Sequence, residues 1–316
     1  MFKQSTAYLS QKAQILHEVT DMRESRVRLI VVCLLAVISV RASWAKDMPG
    51  KRDLSVVDPN PEELIRDTVY NELHDHERHG YWQYVIRKHT SNEVDSLKQV
   101  ETTDGPVQRL MAVDGEPLTA QRRRDEELRL KELLSNAGKQ RKVREQYVED
   151  EKRIGRIMQL LPVAFLYEYL GIEGENYCLG FRPNPAFHPP TIEARVFHAM
   201  QGKIYVNIRW KRLARLDGHL VDNIDFGYGL LGRLYKGGWF NLERVQVSQT
   251  DWKTKVLEVH VAGRAVLFKT IAKDTREERS GFREVPRDTT MSEAKQMLDT
   301  DYTIVSRTDP KIWRAP

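Results

Sequence analysis

The 316-residue sequence predicts an α+β fold, a long antiparallel β-meander with helices grouped at its start and middle. Three observations carry this reading. From Gly80 onward, segments rich in β-branched and aromatic residues alternate in polarity and are punctuated by X-Gly pairs. Apolar residues at Leu64, Ile65, Val69 and Leu73 follow the three-and-four spacing of a helix face. Between Thr119 and Leu161 the chain is heavily charged and helical in pattern, and no regular helix–strand repeat follows. One domain is expected.

Composition bounds the alternatives. With 41% hydrophobic residues, and 50 Lys plus Arg against 45 Asp plus Glu, the chain can bury a core. No apolar run reaches the roughly 18 residues of a membrane-spanning helix. Two cysteines exclude zinc ribbons and four-thiolate iron–sulfur clusters.

The amino-terminal region reads as an export signal. Arg23, Arg26 and Arg28 precede the apolar run 29–40, and small residues at Ser43 and Ala45 suit a signal peptidase, so residues 1–45 are expected to be removed. Met22 opens a more ordinary signal, which suggests that translation starts there. Residues 1–45 hold six Lys or Arg and three Asp or Glu, so most of the basic excess belongs to the export segment. That weakens a nucleic-acid reading. The expected location is the periplasm or cell envelope.

Residues 46–60, with Pro49, Gly50 and Pro59, read as a tether. Asn60 and Pro61 give a helix a cap and a first position, and its pattern runs to about His76. Strands are expected over 81–90, 94–103 and 106–113, joined at Asp104-Gly105 and Asp114-Gly115, because tight hairpins require positive φ that Asp tolerates and Gly accepts. Thr119 caps a helical insert over 119–161 that breaks near Asn136 and Gly138. Segments 161–170 and 177–182 then pair as a hairpin, and strands follow over 195–200, 203–209, 212–216 and 220–226. Glu173-Gly174, Gln201-Gly202, Asp217-Gly218 and Ala262-Gly263 are each read as hairpin turns. The glycine-rich 227–238 looks like a close-approach segment before strands over 239–249, 255–261, 264–273 and 280–285. Residues 291–298 form a short helix that ends the 61–298 domain, and 299–316 are tail.

This layout resembles the periplasmic lipoprotein carriers, the outer-membrane lipoprotein-sorting or LolA-like superfamily. The segments that carry the resemblance are 161–170, Phe181-Arg-Pro-Asn-Pro185, Ile192-Glu-Ala-Arg195, Gly202-Lys-Ile-Tyr-Val-Asn207 and 227–238, within a span covering most of 61–285. The resemblance implies a curved antiparallel sheet, an incomplete barrel covered by helices, whose apolar hollow holds acyl chains. It implies a hydrophobic ligand or lipoprotein acyl chains as partner, contact with a membrane surface, no cofactor, no nucleic acid and no catalysis. The same superfamily includes envelope-stress sensors, so a structural or partner-binding module is the alternative, with a hydrolase behind it.

On this reading the ligand-lining positions are Phe165, Tyr167, Tyr169, Phe181, Phe197 and Tyr205, followed by Phe226, Trp239 and Phe268. Plain core is an equally good account of them, because alternation assigns each residue to a face without saying whether that face is filled. Arg122, Arg123, Arg124, Lys139, Arg141 and Lys142 are the places for an anionic-lipid contact. They are interleaved with Asp125, Glu126, Glu127, Glu132 and Glu145, so a solvated, internally paired helix face is the stronger reading.

His74-Asp-His-Glu-Arg-His79 has metal-ligand residue types, yet on a helix His74 and His76 point about 200° apart, and histidines suit a helix C-terminus. No metal site is expected. Cys178 sits in an apolar strand and reads as a structural thiol. Asp222 and Asp225 read as flanking a turn, and no nucleophile elbow, P-loop or dinucleotide fingerprint occurs.

Overall fold

The computed structural model describes residues 58–74, 80–90, 92–226, 232–265 and 269–308. The export signal, the Met22 start and most of the tether lie outside the described residues. The chain folds as α+β, with a large antiparallel sheet that does not close into a barrel.

Helix α1, Pro61–His74, starts where Asn60 accepts the Glu63 N–H at 3.0 Å and buries Leu64, Ile65 and Val69. Strands β1 (Tyr81–His89), β2 (Val94–Val100) and β3 (Val107–Val113) follow, with the two-residue β4 (Glu116–Pro117) turning back on β3. At that last turn Asp114 and Gly115 both take positive φ, 52° and 75°, as the Asp-Gly signature requires. Helices α2 (Ala120–Ser135) and α3 (Ala137–Ala164) meet at Asn136, which ends the first and caps the second by accepting the Lys139 N–H. Strands β5 (Phe165–Glu173) and β6 (Asn176–Pro183) form a hairpin, helix α4 spans Ile192–His198, and β7 (Met200–Asn207) and β8 (Leu213–Leu220) form the next hairpin. Two short strands, β9 (Ile224–Phe226) and β10 (Gly232–Leu234), precede β11 (Trp239–Gln246), β12 (Trp252–Ala265), β13 (Lys269–Val285) and helix α5 (Met291–Thr308).

The main path runs β4-β3-β2-β1-β13-β12-β11-β8-β7-β6-β5, so the last long strand returns to pair with the first. Register aligns Leu179, Ile204, Leu216, Leu242 and Leu257 in one row across β6, β7, β8, β11 and β12. This row belongs to the principal core, which α1, α3 and α4 cover through Ile65, Met158, Leu161 and Val196. A second cluster joins Val100, Val107 and Val285 to Leu130 of α2 and to Met291, Ala294 and Leu298 of α5.

Five expectations need correction. Residues 161–164 continue α3 through Pro162 rather than opening a strand, because Leu161 and Ala164 are buried in the principal core. Residues 192–198 are helix where a strand was expected over 195–200. Thr191 accepts the Ala194 N–H at 3.1 Å, and that cap decides a segment too short for periodicity to classify. Gly202, Gly218 and Gly263 lie inside strands β7, β8 and β12, not in turns. A Cβ on Gly218 would enter the Phe240 ring, and one on Gly202 would meet the backbone of Asp217, so these glycines mark close approach. Finally, 269–285 is one 17-residue strand, and the closing helix runs on to Thr308 through part of the expected tail.

Candidate functional site

The sheet's two faces differ chemically from β5 to β12. One face is the leucine row beneath the helices. The other carries the alternate residues, and there the register places Lys203, Asp217, Asn241 and Glu258 side by side across four strands. A neighbouring row on that face sets Gln201, His219, Trp239 and His260 abreast. Leu166, Glu168 and Leu170 of β5 form one wall. The space enclosed is an open groove of about 920 Å³.

Between Glu168 and Lys203 its floor has no side chain, because Gly180 stands there. On the helix-covered face Gly202 pairs with Gly218, so no side chain stands between Phe181 and Phe240. Leu170 leans over Gly180, with its Cδ1 3.3 Å from where a Cβ would stand. At the opposite end the Trp239 indole is 42% exposed and stacks on His260, ring centroids 6.0 Å apart and 15° between planes.

Asn241, Glu258 and Asp217 are held in place by their partners. Asn241 donates to Glu258 at 3.1 Å, and Glu258 also pairs with Arg276. Asp217 pairs with Arg215 at 2.7 Å, and Arg215 lies over the Tyr205 ring at 5.0 Å. Three carboxylates (Glu168, Asp217, Glu258) therefore face two cations (Arg182, Lys203), with further arginines behind. Fixed planar amides and carboxylates flanking an exposed indole can hydrogen-bond and stack on a ligand.

The expected ligand-lining aromatics are divided by this geometry. Phe165, Phe181 and Phe226 are buried in the principal core, and Tyr167, Tyr169 and Phe197 pack against it. Phe165 meets Phe181 and Phe197 edge-on at 5.0 and 4.9 Å, and Tyr167 donates to the Leu161 carbonyl at 2.7 Å. Tyr205 and Trp239 lie on the opposite face; of the described positions Tyr167, Phe181 and Trp239 border the groove, and Trp239 is the one among these three that stands on its face of the sheet. Phe268 lies outside the described residues. Residues that sequence reasoning passed over, Lys203, Asp217, Asn241 and Glu258 among them, are the polar partners of the core positions in the same strands. Period-two alternation was the signal for them.

Arg122, Arg123 and Arg124 are exposed at the start of α2, and Lys139, Arg141 and Lys142 are exposed at the start of α3. Most of the length of the 16-residue α2, ~24 Å by helical rise, lies between the two groups. Arg122 faces Glu93 at 3.5 Å and Lys139 faces Glu132 at 2.7 Å. The structure does not join these six side chains into one patch.

His74 hydrogen-bonds the Tyr70 carbonyl at 2.9 Å and stacks on that ring, while His76 and His79 lie outside the described residues. Among the described residues no group of three or more His, Cys, Asp or Glu is placed to hold a metal, and no helix is long and apolar enough to cross a membrane. Cys178 is buried on β6, and burial first of all pushes its thiol up. Asp225 pairs with Arg233, whose hydrogen bonds hold the carboxyl below its ordinary value.

No protein-family model, no curated protein and no solved structure matches this chain.

Proposed function

We propose that this protein is an exported, non-catalytic carrier that binds an amphipathic lipid or lipoprotein acyl chain, akin in role to the LolA-like proteins it resembles, and that the ligand lies in the groove on the sheet face opposite the helices. The supporting observation is a groove of about 920 Å³ with the partly exposed Leu166 and Leu170 at one wall and fixed polar groups along its floor. Burying hydrocarbon on such a wall contributes about 0.8 kcal/mol per methylene. The helix-covered face offers less, since Phe165, Phe181 and Phe226 are committed to packing against one another and against α1, α3 and α4.

The test is native mass spectrometry of protein purified from membranes, combined with titration of a fluorescent fatty acid into the wild type and Leu170→Arg. A lipid adduct and saturable binding by the wild type are expected, with binding lost in the variant. Bare protein and no titration signal would leave the carrier reading without support.

The alternative, a partner-binding envelope module, draws on β5. This strand ends the sheet and exposes Leu170 and Ile172, each at 48%. A bulge between Tyr169 and Gly171 interrupts its regularity, which disfavours strand addition there.

A further inference from the structure

We infer that the Trp239 end of the groove recognises a neutral polyhydroxylated head group, so that the ligand is a glycolipid-like amphipath with its chain toward Leu170 and its sugar on the indole. This rests on the reading of the groove as a lipid site and names the other half of the ligand. Two features of the site carry it.

The first is charge. Along the groove three carboxylates, Glu168, Asp217 and Glu258, stand with two cations, Arg182 and Lys203, and Asp217 and Glu258 are paired with Arg215 and Arg276. A phosphate or carboxylate head group would lose its water there without a dedicated cation cluster to replace it, which desolvation opposes. Hydroxyl groups both donate and accept, so they can bond to carboxylates, to the Asn241 and Gln201 amides and to Lys203 without adding charge.

The second is shape. Trp239 stands at the groove end, nearly half exposed, while His260 stacked on it fixes the plane of the ring. An exposed indole held flat beside amides and carboxylates suits a pyranose. The C–H groups on the less hydroxylated side of that ring carry partial positive charge and meet the negative face of the aromatic quadrupole, while its hydroxyls reach the planar polar groups alongside. An acyl chain alone would strip water from those polar groups without offering them hydrogen bonds in exchange, at a cost. His260 lies 3.7 Å from Asp274, a contact that steadies the imidazole from behind.

The experiment uses the full chain and three amphipaths of equal chain length, each below its micelle concentration: dodecyl maltoside, dodecylphosphocholine and laurate. Affinities are read by calorimetry for the wild type, Trp239→Ala and Leu170→Arg. The wild type is expected to bind dodecyl maltoside about tenfold or more tightly than the other two. Trp239→Ala should remove that preference, weakening dodecyl maltoside about tenfold more than laurate, while Leu170→Arg should weaken all three. Equal affinities in the wild type, or a maltoside preference that survives Trp239→Ala, would overturn the head-group inference while leaving the groove reading in place. Failure of all three to bind the wild type would overturn both.

Discussion

Glu72 of helix α1 and Arg244 of strand β11 form a buried ion pair, Oε1 to Nη1 2.6 Å, in which both side chains are less than a tenth exposed. Arg212 completes it, with Nε and Nη2 each 3.0 Å from a Glu72 oxygen, and the Leu213 N–H donates to the same carboxylate at 2.9 Å. The cluster fixes α1 across the sheet and so maintains the covered face that leaves the groove on the other side.

Removing its one anion is expected to be costly. Glu72→Ala would leave two guanidinium groups buried without their carboxylate, a loss of about 3–5 kcal/mol. Urea denaturation of the variant against the wild type measures this, and a change below ~1 kcal/mol would mean that the pair is incidental to the fold.

The same carboxylate predicts acid sensitivity. Burial by itself would raise the Glu72 pKa, but the charges of Arg244 and then Arg212, with their hydrogen bonds, outweigh it and hold it at about 2, against 4.5 for a free glutamate. A depressed native pKa contributes stability that is present above the unfolded value and is lost as the pH falls through the native one. Between about pH 4.5 and 2 the wild type should therefore lose on the order of 3 kcal/mol that Glu72→Gln never had. Parallel stability profiles for the two proteins over that range would contradict this.

Strand β3 has a second safeguard. Glu126 of α2 accepts the Leu110 N–H at 2.8 Å, and Arg129 donates to the Gln108 carbonyl at 2.6 Å, so side chains occupy backbone sites that a neighbouring strand would otherwise use. Unpaired edge groups template aggregation. Glu126→Ala should cost about 1–3 kcal/mol and raise light scattering on warming. A variant with unchanged melting and scattering would show that β4 and the rest of α2 suffice.

Gly218 tests the close approach beneath the groove. Its α-carbon lies under the Phe240 ring, so Gly218→Val should overpack that site by about 1–3 kcal/mol. Phe240→Ala in the same chain should recover part of the loss, giving a coupling that a double-mutant cycle detects. Strict additivity would place the valine elsewhere than against the ring.

Much of the fold was legible in the residues themselves. The alternation over 81–113, the Asp114-Gly115 turn, the Asn60 and Thr119 caps and the break at Asn136 all lie where local backbone preferences act, and the structure keeps them. The same logic misread Gly202, Gly218 and Gly263 as turns. A glycine needed for positive φ and a glycine needed for a neighbour's ring look identical in a sequence.

The sequence by itself determined an α+β chain with an antiparallel meander and a charged helical pair, because propensity, capping and period-two patterning are local. It assigned aromatic residues to strands without telling one sheet face from the other. Only the tertiary structure decided that Phe165, Phe181 and Phe226 face the helices while Trp239 faces the groove, and that Glu72 meets Arg212, 140 residues away in sequence, and the still more distant Arg244. Register across non-neighbouring strands, β8 beside β11 and β1 beside β13, sets those choices, and it depends on long-range burial that no window of sequence contains.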